Sequence, residues 1–123
     1  MVVACRKKSP PAGVVVALGE WCAGVWCNHD NFRGTIDDAA ASTGEKIWRL
    51  PLWEEHRDFM RSRHADIWNS APRRSGHPLQ GAAFLSYFVD KDVPWAHVDL
   101  AGPATTDFRL PTAEIGPTGF GTR

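Results

Sequence analysis

The chain has 123 residues, enough for one compact domain with a single core but too short for two. Its 14 basic and 14 acidic residues cancel, which argues against nucleic acid as a partner because phosphate binding needs a concentrated positive field. With 43% hydrophobic and 23% charged residues, the composition is that of a folded protein and excludes a disordered one.

Cysteine usage and the apolar runs indicate the compartment. Cys5, Cys22 and Cys27 are odd in number and match neither a disulfide framework nor a paired zinc motif, so we expect reduced thiols. The basic residues 6–8 precede an apolar run that is too short for a signal peptide. No run approaches the roughly 20 apolar residues needed to cross a bilayer. We therefore expect a cytoplasmic protein that does not enter a membrane.

The first third of the chain predicts two strands and a helix. Residues 14–18 (VVVAL) form a β-branched run between two glycines and predict a strand buried on both faces. Residues 23–27 predict a neighbouring strand. Residues 28–31 favour a turn and helix cap, and residues 32–43 predict a helix that Gly44 ends.

The middle of the chain predicts an extended segment, a helix and a short strand. Pro51 biases the residue before it away from helix, so residues 47–52 are predicted to be extended. Residues 53–63 show helical spacing with two acidic residues in the first turn. Residues 65–69 suggest a further short strand.

The last third predicts a buried helix and a central strand. Pro78 can open an apolar helix that runs to residue 89. Residues 95–100 alternate and end in a loop, the place where open α/β sheets bind ligands. Residues 103–123 are rich in Gly, Pro and Thr and predict an irregular segment, ordered only if it packs on the domain. The alternation of strands and helices indicates a layered α/β domain.

Local chemistry alone gives little catalytic signal. His56 and His64 are too far apart for the chelating H-E-x-x-H pattern and read as solvated. His97 and Asp99 would share one face of the last strand. A buried hydrogen-bond network is favoured for them over direct catalysis, and both roles fit. Cys27 precedes His29 too closely for the two to face each other as nucleophile and base, and no serine lies in a G-x-S-x-G turn.

Six segments carry a further pattern. They are GVVVALGEWCAG at 13–24, GEKIWRLPL at 44–52, A-D-I followed by Asn69, GAAFL at 81–85, PWAHVDLAG at 94–102, and GPTG at 116–119 followed by F-G-T-R. In order and spacing they resemble blocks of the leucyl (cytosol) aminopeptidase family, such as G-(D/E)-x-x-W-R-(L/M)-P-L and W-A-H-L-D-I-A-G. By this resemblance, residues 13–123 are the C-terminal part of the catalytic domain, and residues 1–12 are an unmatched N-terminal segment.

The resemblance implies an α/β fold, a three-layer domain with a central mixed sheet flanked by helices. It also implies a parent enzyme that releases N-terminal amino acids, often leucine, from peptides, and that assembles as a hexamer of identical subunits. Members of the family use two divalent metal ions, zinc or manganese, to polarise the scissile carbonyl and activate a bridging water.

The family's metal ligands come from a lysine-containing loop and an N-T-D-A-E-G-R signature, and this sequence contains no such string. We therefore expect no metal ligand and no catalytic residue in this chain, and no activity by the chain alone. Residue by residue, the resemblance assigns only pocket walls. Ala101 and Ala104 match positions that line the pocket for the first side chain, and Asn69 and Ser70 match the neighbourhood of the second pocket.

Two other functions stay open. A standalone, non-enzymatic module that binds or oligomerises would fit the six tryptophans and the zero net charge. A metal site built anew is the other alternative, although no spacing rule supports it; its candidate ligands are His29, Asp30, His56 and His64.

Overall fold

The computed structural model describes the backbone of residues 2–4 and the whole of residues 13–122. Cys5 and most of the predicted N-terminal segment lie outside this part of the chain. The elements in chain order are β1 Val2–Ala4, α1 Gly13–Leu18, β2 Ala23–Cys27, α2 Asp30–Thr43, β3 Ile47–Arg49, α3 Glu54–Asp58, α4 His77–Ser86, β4 Ala96–Asp99, β5 Thr105–Thr106 and β6 Gly116–Pro117. Among the described residues, no helix has the length and apolar character of a membrane span.

Four strands form the main sheet, in the order β1-β4-β2-β3. β1 runs parallel to β4 and β2 runs parallel to β3, whereas β2 and β4 are antiparallel. The sheet is therefore mixed, and β4 lies inside it, as predicted. β5 and β6 pair separately in residues 103–123, here called the tail. The tail packs back on the domain through contacts such as that between Trp21 and Phe108 and the hydrogen bond from the Gly121 amide to Glu45.

Helices cover the sheet on its two faces. On one face the core joins Val14 of α1, Trp26 of β2 and Ala82 of α4. The neighbouring β2 residues Ala23 and Val25 point to the other face and are fully buried, and α2 packs against β2. The predicted layered α/β architecture is confirmed.

The predicted strand at residues 14–18 is wrong, because this segment is the helix α1. Val14 is completely buried while Val16 is 74% exposed, so only one side of the segment faces the core. Helical spacing places Val14 and Leu18 on that side together. Burial of one helix face has outweighed the strand preference of β-branched residues. Gly19, at φ 74°, then ends the helix in the left-handed conformation.

The region from 53 to 69 also differs from its prediction. α3 ends at Asp58, well before residue 63, and residues 65–69 form no strand beyond a single bridge between Arg61 and Ile67. A tight loop forms instead because Met60 is fully buried and its carbonyl accepts a hydrogen bond from the Trp68 amide at 2.6 Å.

The remaining helices, α2 and α4, lie close to the positions that the sequence predicts. α2 ends where predicted, with Gly44 at φ 71° and its amide bonded to the Ala40 carbonyl. α4 has Pro78 in its first turn and buries Ala82 and Ala83, although it ends at Ser86 and not at residue 89.

Candidate functional site

A cavity of about 340 Å³ lies between α4, β4 and the loop that precedes α4. We call it the polar cavity because six of its lining residues are Asn69, Ser70, His77, Gln80, His97 and Asp99. The apolar part of its wall comes from α4 and from Gly13. A cavity with a few convergent polar groups beside the end of an interior strand is the usual form of a ligand site in an α/β domain.

Gln80 holds the loop that carries Asn69 and Ser70. Its side chain is buried, its Oε1 accepts the Ala71 amide at 3.2 Å, and its Nε2 donates to the Arg73 carbonyl at 2.8 Å. Both of its polar atoms are therefore used to fix the loop against α4. Asn69 and Ser70 are exposed on the resulting cavity wall.

His97 is a buried histidine under the polar cavity. It is 4% exposed, packs between the rings of Trp26 and Trp95, and has an Nδ1 atom that is buried without a partner. Burial lowers the pKa of His97, while the nearby Asp99 carboxylate raises it by less. The neutral imidazole is thus the favoured form.

Asp99 does not bond to His97, so the predicted network between them does not form. Its Oδ1 instead accepts the amide of Ala101 at 3.0 Å. Asp99 therefore lines the polar cavity and also fixes the start of the loop after β4. The two residues share one cavity, as their alternation on the strand predicts.

Ala101 and Ala104 lie in that loop, beyond the end of β4. Ala101 packs against the core beside Val14 and Trp26. The amide of Ala104 donates to the Leu100 carbonyl, and its own carbonyl accepts the Thr118 amide, each at 3.0 Å. The structure thus places Asn69 and Ser70 together on one wall of the polar cavity. Ala101 and Ala104 lie in a separate loop, which is joined to this cavity through the hydrogen bond between Ala101 and Asp99.

The side chains described do not fit a two-metal centre. Within residues 13–122, no three His, Cys, Asp or Glu side chains come together as a metal site. Asp30 forms an ion pair with Arg49 at 3.1 Å, and the Nδ1 of His56 accepts the Trp53 amide at 3.1 Å. The candidate ligands His29, Asp30, His56 and His64 are therefore not gathered into one site.

The two described thiols, of Cys22 and Cys27, are also not arranged for nucleophilic attack. Cys22 and Cys27 are free, and Cys27 is buried with its thiol donating to the His29 carbonyl at 3.2 Å. Burial raises the pKa of the Cys22 thiol, and Lys46 lowers it by less. A raised thiol pKa reduces the thiolate fraction, which is the reactive form.

A second cavity of about 260 Å³ is formed where the tail packs on the domain. We call it the aromatic cavity, since Trp21 and Phe108 meet there with ring centroids 5.2 Å apart. The charged residues Glu20, Glu45 and Lys46 line it as well. Sequence reasoning missed this cavity because its walls come from segments far apart in the chain. The tryptophan-rich composition was the only signal that pointed to covered aromatic surface.

These observations define an α/β domain with a mixed sheet and a polar cavity beside its interior strand. The profile of the cytosol aminopeptidase family, catalytic domain, matches residues 12–123. The chain therefore belongs to this family, as its six sequence blocks predict.

Curated relatives agree with this assignment. The chain is 42% identical over 132 residues to a probable cytosol aminopeptidase of Synechococcus sp. (strain CC9605), covering 100% of this chain and 27% of the relative. It is 44% identical over 109 residues to a probable cytosol aminopeptidase of Trichodesmium erythraeum (strain IMS101), covering 89% and 22%. The chain thus spans about a quarter of the length of these relatives.

Solved structures share the fold. A mutant of tomato leucine aminopeptidase matches with a TM-score of 0.80 and 38% identity, over 89% of this chain and 20% of that one. The bottromycin maturation enzyme BotP in complex with Mn matches with a TM-score of 0.84 and 36% identity, over 98% and 26%.

Proposed function

We propose that this chain is the C-terminal part of the catalytic domain of a dinuclear metalloaminopeptidase that releases N-terminal amino acids of the leucine type from peptides. The family match over residues 12–123 is the observation that carries the proposal. In this proposal the domain portion is residues 13–123, and residues 1–12 are the N-terminal segment that the sequence blocks leave unmatched, although Val2–Ala4 join the main sheet as β1.

The chain contributes walls of the substrate pockets. Asn69 and Ser70 take part in the pocket for the second side chain, and their exposure on the wall of the polar cavity supports this role. Ala101 and Ala104 take part in the pocket for the first side chain. Their loop is held by bonds to Asp99 and Leu100, which gives small side chains a fixed place.

Two divalent metal ions, zinc or manganese, belong to the whole enzyme and are held by residues outside those described. The similar enzyme BotP has been solved in complex with Mn, which supports the proposal that the whole enzyme uses a metal. The chain alone is then inactive, because pocket walls without metals bind substrate at best and provide no activated water.

The whole enzyme is proposed to be cytoplasmic and to assemble from identical subunits as a hexamer. The printed names of the relatives, cytosol aminopeptidases, support the location. Large exposed apolar side chains support the assembly, since Trp48 is 64% exposed, Trp53 63% and Phe88 68%.

A chimera tests the proposal. Residues 13–123 replace the matching segment of the Synechococcus relative, and hydrolysis of leucine p-nitroanilide is measured with added manganese or zinc. The proposal expects a metal-dependent, active chimera and an inactive isolated chain with no bound metal. A chimera that folds and assembles like the Synechococcus parent but does not hydrolyse the substrate would contradict it.

The second candidate is a non-enzymatic module that binds or oligomerises. The exposed Trp48 and Trp53 favour it as well, because exposed apolar surface also suits association of the chain with a partner or with copies of itself. Sedimentation of the isolated chain tests the module hypothesis. A well-folded chain that stays monomeric at high concentration would count against the module.

A further inference from the structure

The aromatic cavity is a separate candidate site that shares no lining residue with the polar cavity. Three polar side chains of its wall already have hydrogen-bond partners within the chain. Thr106 Oγ1 donates to the Phe108 carbonyl at 2.7 Å, and the hydroxyl of Thr118 donates to the Pro103 carbonyl. One carboxylate oxygen of Glu45 accepts the Gly121 amide at 2.7 Å.

Two opposite charges on this wall are left for a ligand. Within residues 13–122, neither an ion pair nor a side-chain hydrogen bond engages the carboxylate of Glu20 or the ammonium of Lys46. The same cavity is lined by aromatic surface, since Trp21 is 53% and Phe108 44% exposed. A ligand that fits such a wall carries both a cation and an anion on an apolar body.

We propose that the aromatic cavity binds a free α-amino acid with an apolar side chain. Its carboxylate pairs with Lys46, its ammonium pairs with Glu20 and with the remaining oxygen of Glu45, and its side chain packs on Trp21 and Phe108. The volume of about 260 Å³ lies just under the roughly 300–1,000 Å³ of drug-sized sites, which suits a single amino acid.

Other ligand classes fit less well. A phosphate or nucleotide would face two carboxylates against one ammonium on this wall. A purely apolar molecule would cover Glu20 and Lys46 without pairing them, and desolvating unpaired charges is costly. A longer peptide needs an extended cleft, whereas this cavity has a volume of only about 260 Å³.

The cavity touches the loop of the proposed first pocket. Pro103 and Thr105, the neighbours of Ala104, both line it. A bound amino acid would therefore lie next to the backbone on both sides of Ala104. An apolar amino acid is also the product class of the proposed peptidase, so the cavity would sense product; this last step rests on the proposed function.

The test uses the isolated chain and needs no metal or activity. Its six tryptophans give separate indole N–H signals in a ¹H–¹⁵N spectrum, assigned by Trp→Phe variants. L-leucine is titrated in, and the Trp21 signal is expected to shift in a saturable way while that of Trp48, on the edge strand β3, stays in place. Leucinamide and 4-methylpentanoate, which each lack one charge, should bind about tenfold more weakly.

Matched variants complete the experiment. Lys46→Met should weaken leucine binding about tenfold, whereas Lys91→Met, an exposed lysine in the turn before β4, should leave it unchanged. Spectral dispersion checks that both variants fold. Equal binding of all three compounds, shifts confined to residues around the polar cavity, or no saturation would each overturn the proposal. None of these results bears on the chimera assay, so the two proposals can fail independently.

Discussion

Trp26 on β2 and His97 on β4 are register partners across the antiparallel strand pair, and their ring centroids lie 5.2 Å apart. The contact places an ionisable ring inside the main core, where Trp26 is fully buried. Because the Nδ1 of His97 has no partner there, the site is suited to the neutral imidazole and penalises the charged one.

Acid should therefore weaken the fold through His97. Its folded pKa is lowered from the ordinary value of 6.5, so the unfolded chain binds the proton more readily. The stability that depends on a neutral His97 is fully present above about pH 6.5, and it is lost as the pH falls from there towards the folded pKa. Urea midpoints at pH 7.5 and 5.5 measure it. His97→Gln should flatten this dependence, and a wild-type drop that persists unchanged in the variant would place the cause elsewhere.

Gly24 is needed because a side chain there would strike the core. A Cβ at this position would lie 2.7 Å from Val14 Cγ2 and 3.0 Å from Leu50 Cδ1. Gly24→Ala should cost about 1–3 kcal/mol of unfolding free energy through overpacking. Chemical denaturation of the purified variant measures the loss.

Gly34→Ala is the matched control. Gly34 lies inside α2, and nothing stands within 4 Å of a Cβ built there. Alanine should stabilise this helix by about 0.5–1 kcal/mol. If both variants lost stability equally, the contact between α1 and β2 would not be the cause of the loss in Gly24→Ala.

Removal of the Gln80 amide should release the loop that carries Asn69 and Ser70. Gln80→Leu keeps an apolar body of similar size but leaves the Ala71 amide and the Arg73 carbonyl without partners. The expected loss is about 1–3 kcal/mol per buried group left unsatisfied. Hydrogen exchange should become faster at Ala71 but not in β2. Unchanged protection at Ala71 would show that Gln80 does not hold the loop.

The sequence predicted the fold best where one signal had a single structural meaning. Gly44 after an amphipathic run ended α2, and the alternating residues 95–100 gave an interior strand. It failed at residues 14–18, because a short apolar run fits a buried strand and a buried helix face equally well. Only the partners of Val14, which come from distant segments, decide between them.

The candidate site could be predicted only in part for a similar reason. His97 and Asp99 share a cavity as their alternation requires. Their hydrogen bonds could not be predicted, because the Asp99 carboxylate turned to a backbone amide two residues away. The aromatic cavity depends on a tail without periodicity, and its order comes from long-range bonds such as that between Gly121 and Glu45.

The ion pair on α2 gives a second, separate pH effect. Arg33 is almost fully buried, and its Nε lies 2.9 and 2.8 Å from the two carboxylate oxygens of Asp37, four residues on. The hydrogen bond from Arg33 lowers the pKa of Asp37 below 3.8, against a smaller opposing effect of burial. Stability from this pair is present above pH 3.8 and is lost as the pH falls through the folded pKa.

Asp37→Asn should therefore lower the urea midpoint at pH 6 and have no effect once the pH lies below the folded pKa, where the native carboxyl is neutral too. The loss at pH 6 arises because the buried Arg33 keeps its charge but loses its anionic partner. Asp38→Asn, at the exposed neighbouring position, is the control and should change the midpoint little at either pH. Both substitutions remove one negative charge from α2, but only Asp37 is bonded to Arg33. Equal drops of the urea midpoint in the two variants would therefore show that the net charge of the helix, and not the ion pair, is the cause.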